Sequence, residues 1–293
     1  MGVEAGCIGI VGLGLIGGSI GLDLRSHGVE VQGLVHRQQT ADRAMARGLI
    51  SAVSTDPSCL QRCDLVVLAL PIPALLQPDP ALVDALPRNA VVTDVGSVKQ
   101  PVLDRWKPLH PRFVASHPMA GTALAGVEAG QRDLFRGRPW IATPDAGTEP
   151  AALARVQGLA IQLGSQWFTA AASQHDQAVA LISHMPVLVS AALLRTAGDE
   201  RDPEIRQLAQ ALASSGFADT SRIGAGNPEL GVAMASSNRE AVLKMLAAYR
   251  WSLEQLEDAV LQQNWSQLAL ELRRTQTLRP DFLKAPGEVS SEN

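Results

Sequence analysis

The chain has 293 residues, a length that suggests two domains, although one large domain is also possible. Apolar residues make up 46% and charged residues 18%, which excludes a disordered or collagen-like chain for most of this length. The net charge of -4, with only 4% aromatic residues and no long basic run, argues against nucleic acid as a partner.

The cysteines and the N-terminus indicate the compartment. Cys7, Cys59 and Cys63 are odd in number and make no disulfide framework, which favours a reducing environment. Cys59 and Cys63 have no second Cys or His pair nearby, so we expect no metal site. The N-terminus is rich in glycine and lacks the basic cluster of a signal peptide. No stretch has the about 18 to 20 uninterrupted apolar residues that a membrane span needs, so we expect a cytoplasmic protein without membrane contact.

Short apolar strands alternate with helices from Cys7 to about Phe168, a pattern typical of a parallel sheet with crossover helices. The predicted strands are Cys7–Val11, Val31–Val35, Leu65–Leu70, Ala90–Asp94, Phe113–Ser116 and Trp140–Thr143. The predicted helices are Leu15–His27, Thr40–Arg47, Asp79–Leu86, Val98–Arg105 and Glu149–Leu163. We therefore expect an α/β Rossmann-type doubly wound sheet in this part of the chain.

Beyond Ala171 the apolar periodicity is helical throughout. The predicted helices are Gln174–Thr196, Pro203–Ser214, Asn238–Gln263 and Trp265–Thr275. The sequence thus predicts a sheet domain over residues 1–170 and an all-α C-terminal domain over residues 171–284. Residues 285–293 are expected to form a frayed tail.

One of these helices, Asn238–Gln263, carries large apolar residues at alternating spacings of four and three. This heptad seam consists of Val242, Leu246, Tyr249, Leu253, Leu256 and Val260. Such a seam packs on another helix, either within the chain or in a second copy. We favour the second copy, a homodimer, because so long a helix usually has more than one neighbour.

A glycine motif, Gly12-Leu-Gly14-Leu15-Ile16-Gly17, follows the first predicted strand and opens the first helix. In this context Gly12 makes the tight turn, Gly14 lets the backbone approach a pyrophosphate, and Gly17 allows the helix to pack on the strand. The helix N-terminus, with Leu15 and Ile16 in its first turn, then faces the phosphate charge. The motif predicts a dinucleotide site.

The end of the second strand discriminates between NAD and NADP, because an acidic residue there binds the 2′-hydroxyl of the adenine ribose. This chain has His36 and Arg37 at that place, followed by Thr40, and no acid. Arg37 can bind a 2′-phosphate through two hydrogen bonds, and His36 and Thr40 add donors. The sequence favours NADP, the alternative being that Arg37 is a solvated loop charge.

Three polar segments differ from ordinary connections: Val92–Lys99, Ser116–Thr122 and Ser214–Arg222. The first two follow predicted strands. Open α/β sheets bind ligands outside the carboxyl ends of their strands, which is where Ser97 and His117 are expected.

Together with the glycine motif and the stretch from His175 to Pro186, these segments resemble the prephenate/arogenate dehydrogenase family. The resemblance rests on GLGLIG, TDVGSVK, HPMAGT, HDQAVALISHMP and DTSR, and it covers nearly the whole chain. It implies oxidative decarboxylation of a hydroxycyclohexadienyl carboxylate to tyrosine or its keto-acid precursor. HRQQT after the second strand and GNPELG at residues 226–231 are most similar to the minimal NADP-linked arogenate dehydrogenases of the cyanobacterial or plant kind.

The resemblance implies a role for several residues. His117 would be the general base that takes the ring hydroxyl proton, and Ser97 would fix its imidazole tautomer. Arg222 would hold the ring carboxylate through its planar guanidinium, assisted by Thr122. The alternative for Arg222 is a surface ion pair with Asp219, three residues earlier.

By the same resemblance, His184 would reach the substrate side chain. Pro186 removes a helical hydrogen bond, so we expect a kink there, and His184 would otherwise be packed into that kink. Ser173 and Asp176 have the spacing of a helix-capping pair. The remaining polar residues of these segments are expected to be structural: His175, Asp176, Asp94 and Lys99.

The substrate is the least determined point. Arogenate carries an ammonium where prephenate carries a keto group, and no motif names the groups that discriminate them. We expect arogenate, with prephenate as the alternative.

Two other classes of protein are alternatives to this family. A β-hydroxyacid dehydrogenase would need a catalytic lysine among the later helices, where only Lys244 and Lys284 occur. A noncatalytic NADP-binding sensor is the other class, and Ser97, His117 and Arg222 together argue against it.

Overall fold

The computed structural model describes residues 6–122 and 124–283. The tail predicted at residues 285–293, like Lys284, lies outside the described residues. The chain divides into two compact units, with the division between Arg239 and Glu240. The domain boundary expected after residue 170 stays a prediction.

Six parallel strands form the main sheet, in the order β3-β2-β1-β4-β5-β6. They are β1 (Cys7–Val11), β2 (Val31–Leu34), β3 (Ala52–Ser54), β4 (Cys63–Leu68), β5 (Val91–Asp94) and β6 (Phe113–Val114). The order reverses between β1 and β4, which is the switch point where doubly wound sheets bind ligands. The predicted Rossmann-type sheet is confirmed.

Six helices cover this sheet and enclose an apolar core on each face. They are α1 (Leu15–Ser26), α2 (Gln38–Ala46), α3 (Ile72–Leu76), α4 (Pro80–Ala85), α5 (Gln100–Trp106) and α6 (Pro150–Gln162). Neighbouring residues of a strand point to opposite faces, so Leu65 and Val67 belong to one apolar cluster and Val66 and Leu68 to the other. All four are fully buried, which explains the continuous apolar run of β4.

A second, three-stranded sheet consists of β7 (Ser116–Pro118), β8 (Pro139–Ala142) and β9 (Gln166–Thr169). β7 runs antiparallel to β8, and β9 runs parallel to β8. The prediction of one strand over Phe113–Ser116 was therefore wrong, as was the expectation that Trp140–Thr143 joins the parallel sheet. At Ser116 the backbone N–H donates to Asp94 Oδ1 at 3.1 Å, so the chain leaves the parallel sheet there.

The remaining elements are helical, as predicted. α7 (Ala172–Val179) continues through a π-helical turn (Ala180–His184) into α8 (Met185–Gly198). There follow α9 (Pro203–Leu212), α10 (Ser215–Ser221), α11 (Pro228–Ser237), α12 (Arg239–Leu261) and α13 (Trp265–Leu283). The helix α11 was not predicted, because its start is rich in Gly and Pro. Asn227 caps it by accepting hydrogen bonds from the N–H groups of Glu229 and Leu230.

Within the described residues, the stretch Ala172–Gly198 is long and apolar enough to cross a membrane, judged by length and composition alone. The sequence prediction counted only uninterrupted apolar runs. It missed this stretch because His175, Asp176 and His184 interrupt the run.

Candidate active site

The glycine motif forms the turn between β1 and α1. Gly12 has φ of +92°, in the left-handed region that favours glycine, and a Cβ there would collide with the carbonyl oxygen of Ala69. A Cβ at Gly17 would collide with the carbonyl oxygen of Gly12. At Gly14, by contrast, a Cβ would meet nothing within 4 Å, so a ligand can approach this backbone. No side chain caps α1, whose first N–H groups are left for an anion, and the turn therefore fits a dinucleotide pyrophosphate.

The residues predicted to bind a 2′-phosphate lie directly after β2. His36 and Arg37 are exposed between β2 and α2, and Thr40 is half-buried in the first turn of α2. No ion pair to Arg37 occurs within residues 6–122 and 124–283. Its guanidinium is therefore available to an anionic ligand.

A buried ion pair organises the loop after β5. Lys99 Nζ donates to Asp94 Oδ2 and, at 2.7 Å, to the carbonyl oxygen of Ser116, and both charged side chains are fully buried. Asp94 also accepts hydrogen bonds from the N–H groups of Gly96 at 2.8 Å and Ser116 at 3.1 Å. Burial raises the pKa of Asp94 and lowers that of Lys99, and the opposite charge of each partner counteracts the shift. The pair joins the end of β5 to the start of β7.

His117 begins a chain of hydrogen bonds that ends on this same loop. Its Nδ1 lies 3.0 Å from His175 Nε2, and His175 Nδ1 lies 2.8 Å from Asp176 Oδ1. The Asp176 carboxylate also accepts hydrogen bonds from the backbone N–H groups of Lys99 at 2.7 Å and Gln100 at 2.9 Å. Asp176 therefore binds the N-terminus of α5 from a helix that is distant in sequence.

The predicted capping pair of Ser173 and Asp176 was wrong. α7 begins at Ala172, and the N–H of Ala171 donates to Gln174 Oε1 at 3.3 Å. The spacing in the sequence resembled a local cap, but the carboxylate of Asp176 binds α5 instead.

These contacts change the acidity of the groups involved. Burial lowers the pKa of His117 well below its ordinary value, and the nearby His175, Lys99 and His184 lower it further. Burial alone would raise the pKa of Asp176, but the hydrogen bonds from His175, Lys99 and Gln100 bring it below its ordinary value. At neutral pH the imidazole of His117 is therefore neutral, and the carboxylate of Asp176, to which His175 links it, is ionised.

His184 occupies the last position of the π-helical turn, two residues before Pro186. The interruption expected at Pro186 thus takes the form of a π-helical turn, a distortion that is frequent at functional sites. Asn238 Nδ2 donates to the Asp176 carbonyl oxygen at 2.7 Å and lies 3.2 Å from His184 Nδ1. Burial lowers the pKa of His184 to about 4, and its Nε2 has no hydrogen-bond partner among the described residues. Sequence reasoning missed Asn238, because no motif includes it.

Ser97 is half-buried, with its Oγ inaccessible to solvent, on the loop that the Lys99–Asp94 pair holds. Its Oγ has no hydrogen-bond partner in the part of the chain that the structure describes. The expectation that Ser97 fixes the imidazole of His117 was therefore wrong, since His175 holds that ring instead. The Ser97 hydroxyl is left for another group.

Arg222 and Thr122 lie on less buried segments. Arg222 is exposed and opens the 3₁₀ turn Arg222–Ala225 after α10, and Ser190 of α8 holds this turn by accepting the N–H of Gly224 at 2.9 Å. Among the described residues Arg222 forms no ion pair with Asp219, so the surface-pair alternative is not what the structure contains. Thr122 is also exposed, and its Oγ1 accepts the N–H of Leu124 at 3.2 Å.

Within the described residues, no three His, Cys, Asp or Glu side chains lie together so that they could hold a metal ion. The Sγ atoms of Cys7 and Cys63 lie 3.3 Å apart as free thiols, and burial raises the pKa of both.

Two family models match the chain in succession. The model of the prephenate dehydrogenase nucleotide-binding domain matches residues 20–168, and the model of the prephenate dehydrogenase dimerization domain matches residues 171–274. The chain belongs to the prephenate/arogenate dehydrogenase family. The predicted resemblance is confirmed, and with it a dehydrogenase of tyrosine biosynthesis.

Individual relatives agree with this family but differ in the substrate they are named for. A cyclohexadienyl dehydrogenase of Zymomonas mobilis is 30% identical to this chain, over 93% of this chain and 94% of the relative. The solved Synechocystis arogenate dehydrogenase is 41% identical with a TM-score of 0.79, covering 94% of this chain and 99% of that one. A prephenate dehydrogenase from A. aeolicus, in complex with hydroxyphenyl propionate and NAD+, is 28% identical with a TM-score of 0.89, over 96% and 100% of the two chains.

The buried ion pair predicts a strong dependence of stability on Lys99. Lys99→Met leaves Asp94 buried without its partner, and we expect the free energy of unfolding to fall by about 3 to 5 kcal/mol in urea denaturation. The control is Lys107→Met, which removes a partly exposed ion pair with Asp145 and should cost about 1 kcal/mol or less. Equal losses in the two variants would contradict a special role of the buried pair.

Proposed function

We propose that this chain is an NADP-dependent arogenate dehydrogenase, which converts L-arogenate to L-tyrosine by oxidative decarboxylation. The observation that carries the proposal is the cluster at the carboxyl end of β5 and the start of β7. There burial lowers the pKa of His117, which lies close enough to Lys99 and His184 for their charges to lower it further. Two buried polar atoms, His184 Nε2 and Ser97 Oγ on the loop before Lys99, lack partners among the described residues. Buried polar groups are normally hydrogen-bonded, so these atoms are suited to a polar ligand.

His117 is the proposed general base. Because burial keeps its imidazole neutral at neutral pH, it is able to take the proton of the ring hydroxyl. A bound nicotinamide would supply the acceptor for the hydride that leaves the carbon carrying this hydroxyl. Arg222 is the proposed anchor of the ring carboxylate, which leaves as CO2 as the ring becomes aromatic, and Thr122 assists it.

The 2′-phosphorylated cofactor is supported by the segment after β2. Arg37 is exposed and has no ion-pair partner in the described residues, and no acid lies between β2 and α2 to bind the 2′-hydroxyl of NAD. We assign His36, Arg37 and Thr40 to the 2′-phosphate, and Gly12, Gly14, Leu15, Ile16 and Gly17 to the pyrophosphate. The alternative is NAD, the cofactor named for the A. aeolicus structure.

Arogenate as the substrate is supported by the 41% identity to the Synechocystis arogenate dehydrogenase. Prephenate is the second candidate, supported by the similarity to the A. aeolicus structure, which is named a prephenate dehydrogenase. The two substrates differ only at the side-chain end, so that end decides between them.

We further propose a cytoplasmic homodimer that associates through the C-terminal helices. Twenty of the twenty-four exposed large apolar side chains within the described residues lie between residues 181 and 283. In the heptad seam Tyr249, Leu253 and Val260 are 38%, 51% and 50% exposed, while Val242 is buried. Exposed apolar area of this extent is typical of an interface, and the family model that matches this region is that of a dimerization domain.

Initial rates with arogenate or prephenate, each with NADP or NAD, test the proposed function. We expect turnover to be confined to arogenate with NADP, followed as the absorbance of the reduced nicotinamide. Turnover of prephenate with NAD would contradict the readings of Arg37 and of the substrate. No turnover with any of the four pairs would favour the noncatalytic sensor.

The acid limb of the pH profile tests the proposed base. A protonated His117 cannot accept a proton, and its lowered pKa means that kcat/KM falls only below about pH 6.5, the ordinary histidine value. His117→Asn should lower kcat/KM by about 10²- to 10⁴-fold. An acid limb with its midpoint above about pH 6.5, or an Asn variant with full activity, would contradict the assignment of His117 as the base.

The heptad seam is tested by Leu253→Asp, which places a charge in the proposed interface. We expect monomers in sedimentation velocity and a large loss of thermal stability. Gln255→Asp is the matched control, because it puts the same charge on the opposite side of the same helix. A stable, still dimeric Leu253→Asp variant would locate the interface elsewhere.

A further inference from the structure

We propose that His175, Asp176 and Asn238 are positioning residues that hold the two site imidazoles in opposite tautomers. His117 is held with its Nε2 unprotonated, so that this atom accepts a hydrogen bond. His184 is held with its Nε2 protonated, so that this atom donates one. The consequence for catalysis rests on the proposed function, whereas the tautomers follow from hydrogen bonds within the chain.

The first half of the chain starts from a carboxylate. Asp176 is ionised and can only accept, so the contact of 2.8 Å with His175 Nδ1 requires a proton on that nitrogen. A neutral imidazole has one donor and one acceptor, which leaves His175 Nε2 as an acceptor. His117 Nδ1 lies 3.0 Å from this acceptor, so His117 Nδ1 must be the donor of the hydrogen bond between them. The proton of His117 therefore resides on Nδ1, and Nε2 has its lone pair free.

The second half starts from a backbone carbonyl. The carbonyl oxygen of Asp176 can only accept, so the side-chain atom of Asn238 at 2.7 Å from it is the amide nitrogen. The same nitrogen lies 3.2 Å from His184 Nδ1, which must therefore accept. The proton of a neutral His184 then resides on Nε2, the atom that is buried without a partner among the described residues. This N–H suits an oxygen acceptor on the substrate, a carboxylate or a carbonyl, and does not suit an ammonium.

Asp176 is common to both halves. Its carboxylate holds His175 and the first N–H groups of α5, next to the loop that carries Ser97, and its backbone carbonyl orients Asn238. It is 6% exposed, so water does not compete for these bonds. One residue thereby fixes the donor and acceptor pattern that a substrate meets from two sides.

Nitrogen NMR of the full-length protein tests the tautomers without substrate. The chain has six histidines. With ¹⁵N-labelled histidine, the ¹⁵N chemical shifts distinguish unprotonated from protonated ring nitrogens. Signals are assigned by loss in His117→Asn and His184→Gln. Near neutral pH we expect His117 protonated at Nδ1 alone and His184 at Nε2 alone. A proton on His117 Nε2, or on His184 Nδ1, would overturn the proposal.

Two variants at one position test the effect on the base. His175→Leu removes the acceptor of the His117 proton, and we expect kcat/KM to fall by about 100-fold and the His117 tautomers to mix. His175→Gln offers an amide oxygen to the same proton, so its kcat/KM should be about tenfold higher than that of His175→Leu.

The control for lost packing is His110→Leu, at a buried histidine whose Nε2 lies 3.1 Å from the Pro87 carbonyl oxygen, outside the hydrogen-bond chain. Its kcat/KM should stay within about threefold of the parent value even if it is destabilised. An equal loss in His110→Leu and His175→Leu, or no loss in the latter, would reduce His175 to a packing role.

The two readouts separate this inference from the proposed function. Correct tautomers without turnover of any substrate pair would reject the proposed function and support the positioning role. Turnover with a His117 proton on Nε2 would support the function and reject the positioning role.

Discussion

The Lys99–Asp94 ion pair is the constraint on which the rest of the site depends. Two charges removed from water need hydrogen bonds that compensate for the lost hydration. Here backbone groups of the loop and of Ser116 supply such bonds. The pair cannot keep its hydrogen bonds if either segment moves. The loop with Ser97 and the strand that begins one residue before His117 are therefore held in one arrangement, which the parallel sheet alone would not impose.

The hydrogen-bond chain of Asp176 extends this arrangement into the helical part of the same compact unit. The carboxylate binds N–H groups at the start of α5, a helix of seven residues, and α7 is thereby attached to the loop that the ion pair holds. The π-helical turn then places His184 where Asn238 can reach it. The proposed base and the proposed side-chain contact thus share one fixed reference, although they come from segments far apart in sequence.

The sequence predicted what local periodicity and local spacing determine. The strands β1, β2, β4 and β5, the glycine turn and the helical region follow from patterns within a few residues, and they are confirmed. The strand β3 was not predicted, and β6 is shorter than predicted. The contacts of Asp176 with Lys99 and of Asn238 with His184 join residues 77 and 54 positions apart, and no spacing predicts them. The same limit explains two errors. Asp176 was expected to form a local cap with Ser173 but binds the start of α5, and Ser116 was expected to continue β6 but binds Asp94.

The charges of the site explain why a half-buried, neutral histidine suits the proposed role. Lys99 balances Asp94, and the remaining negative charge, that of Asp176, is spread over two backbone N–H groups and His175. In the proposed tautomer, a proton that arrives at Nε2 of His117 makes a cation whose Nδ1–H donates to His175, which in turn contacts this carboxylate. Desolvation disfavours the cation before the reaction, and the carboxylate offsets part of that penalty once the proton is transferred. The imidazole is thus kept ready to accept a proton without holding one beforehand.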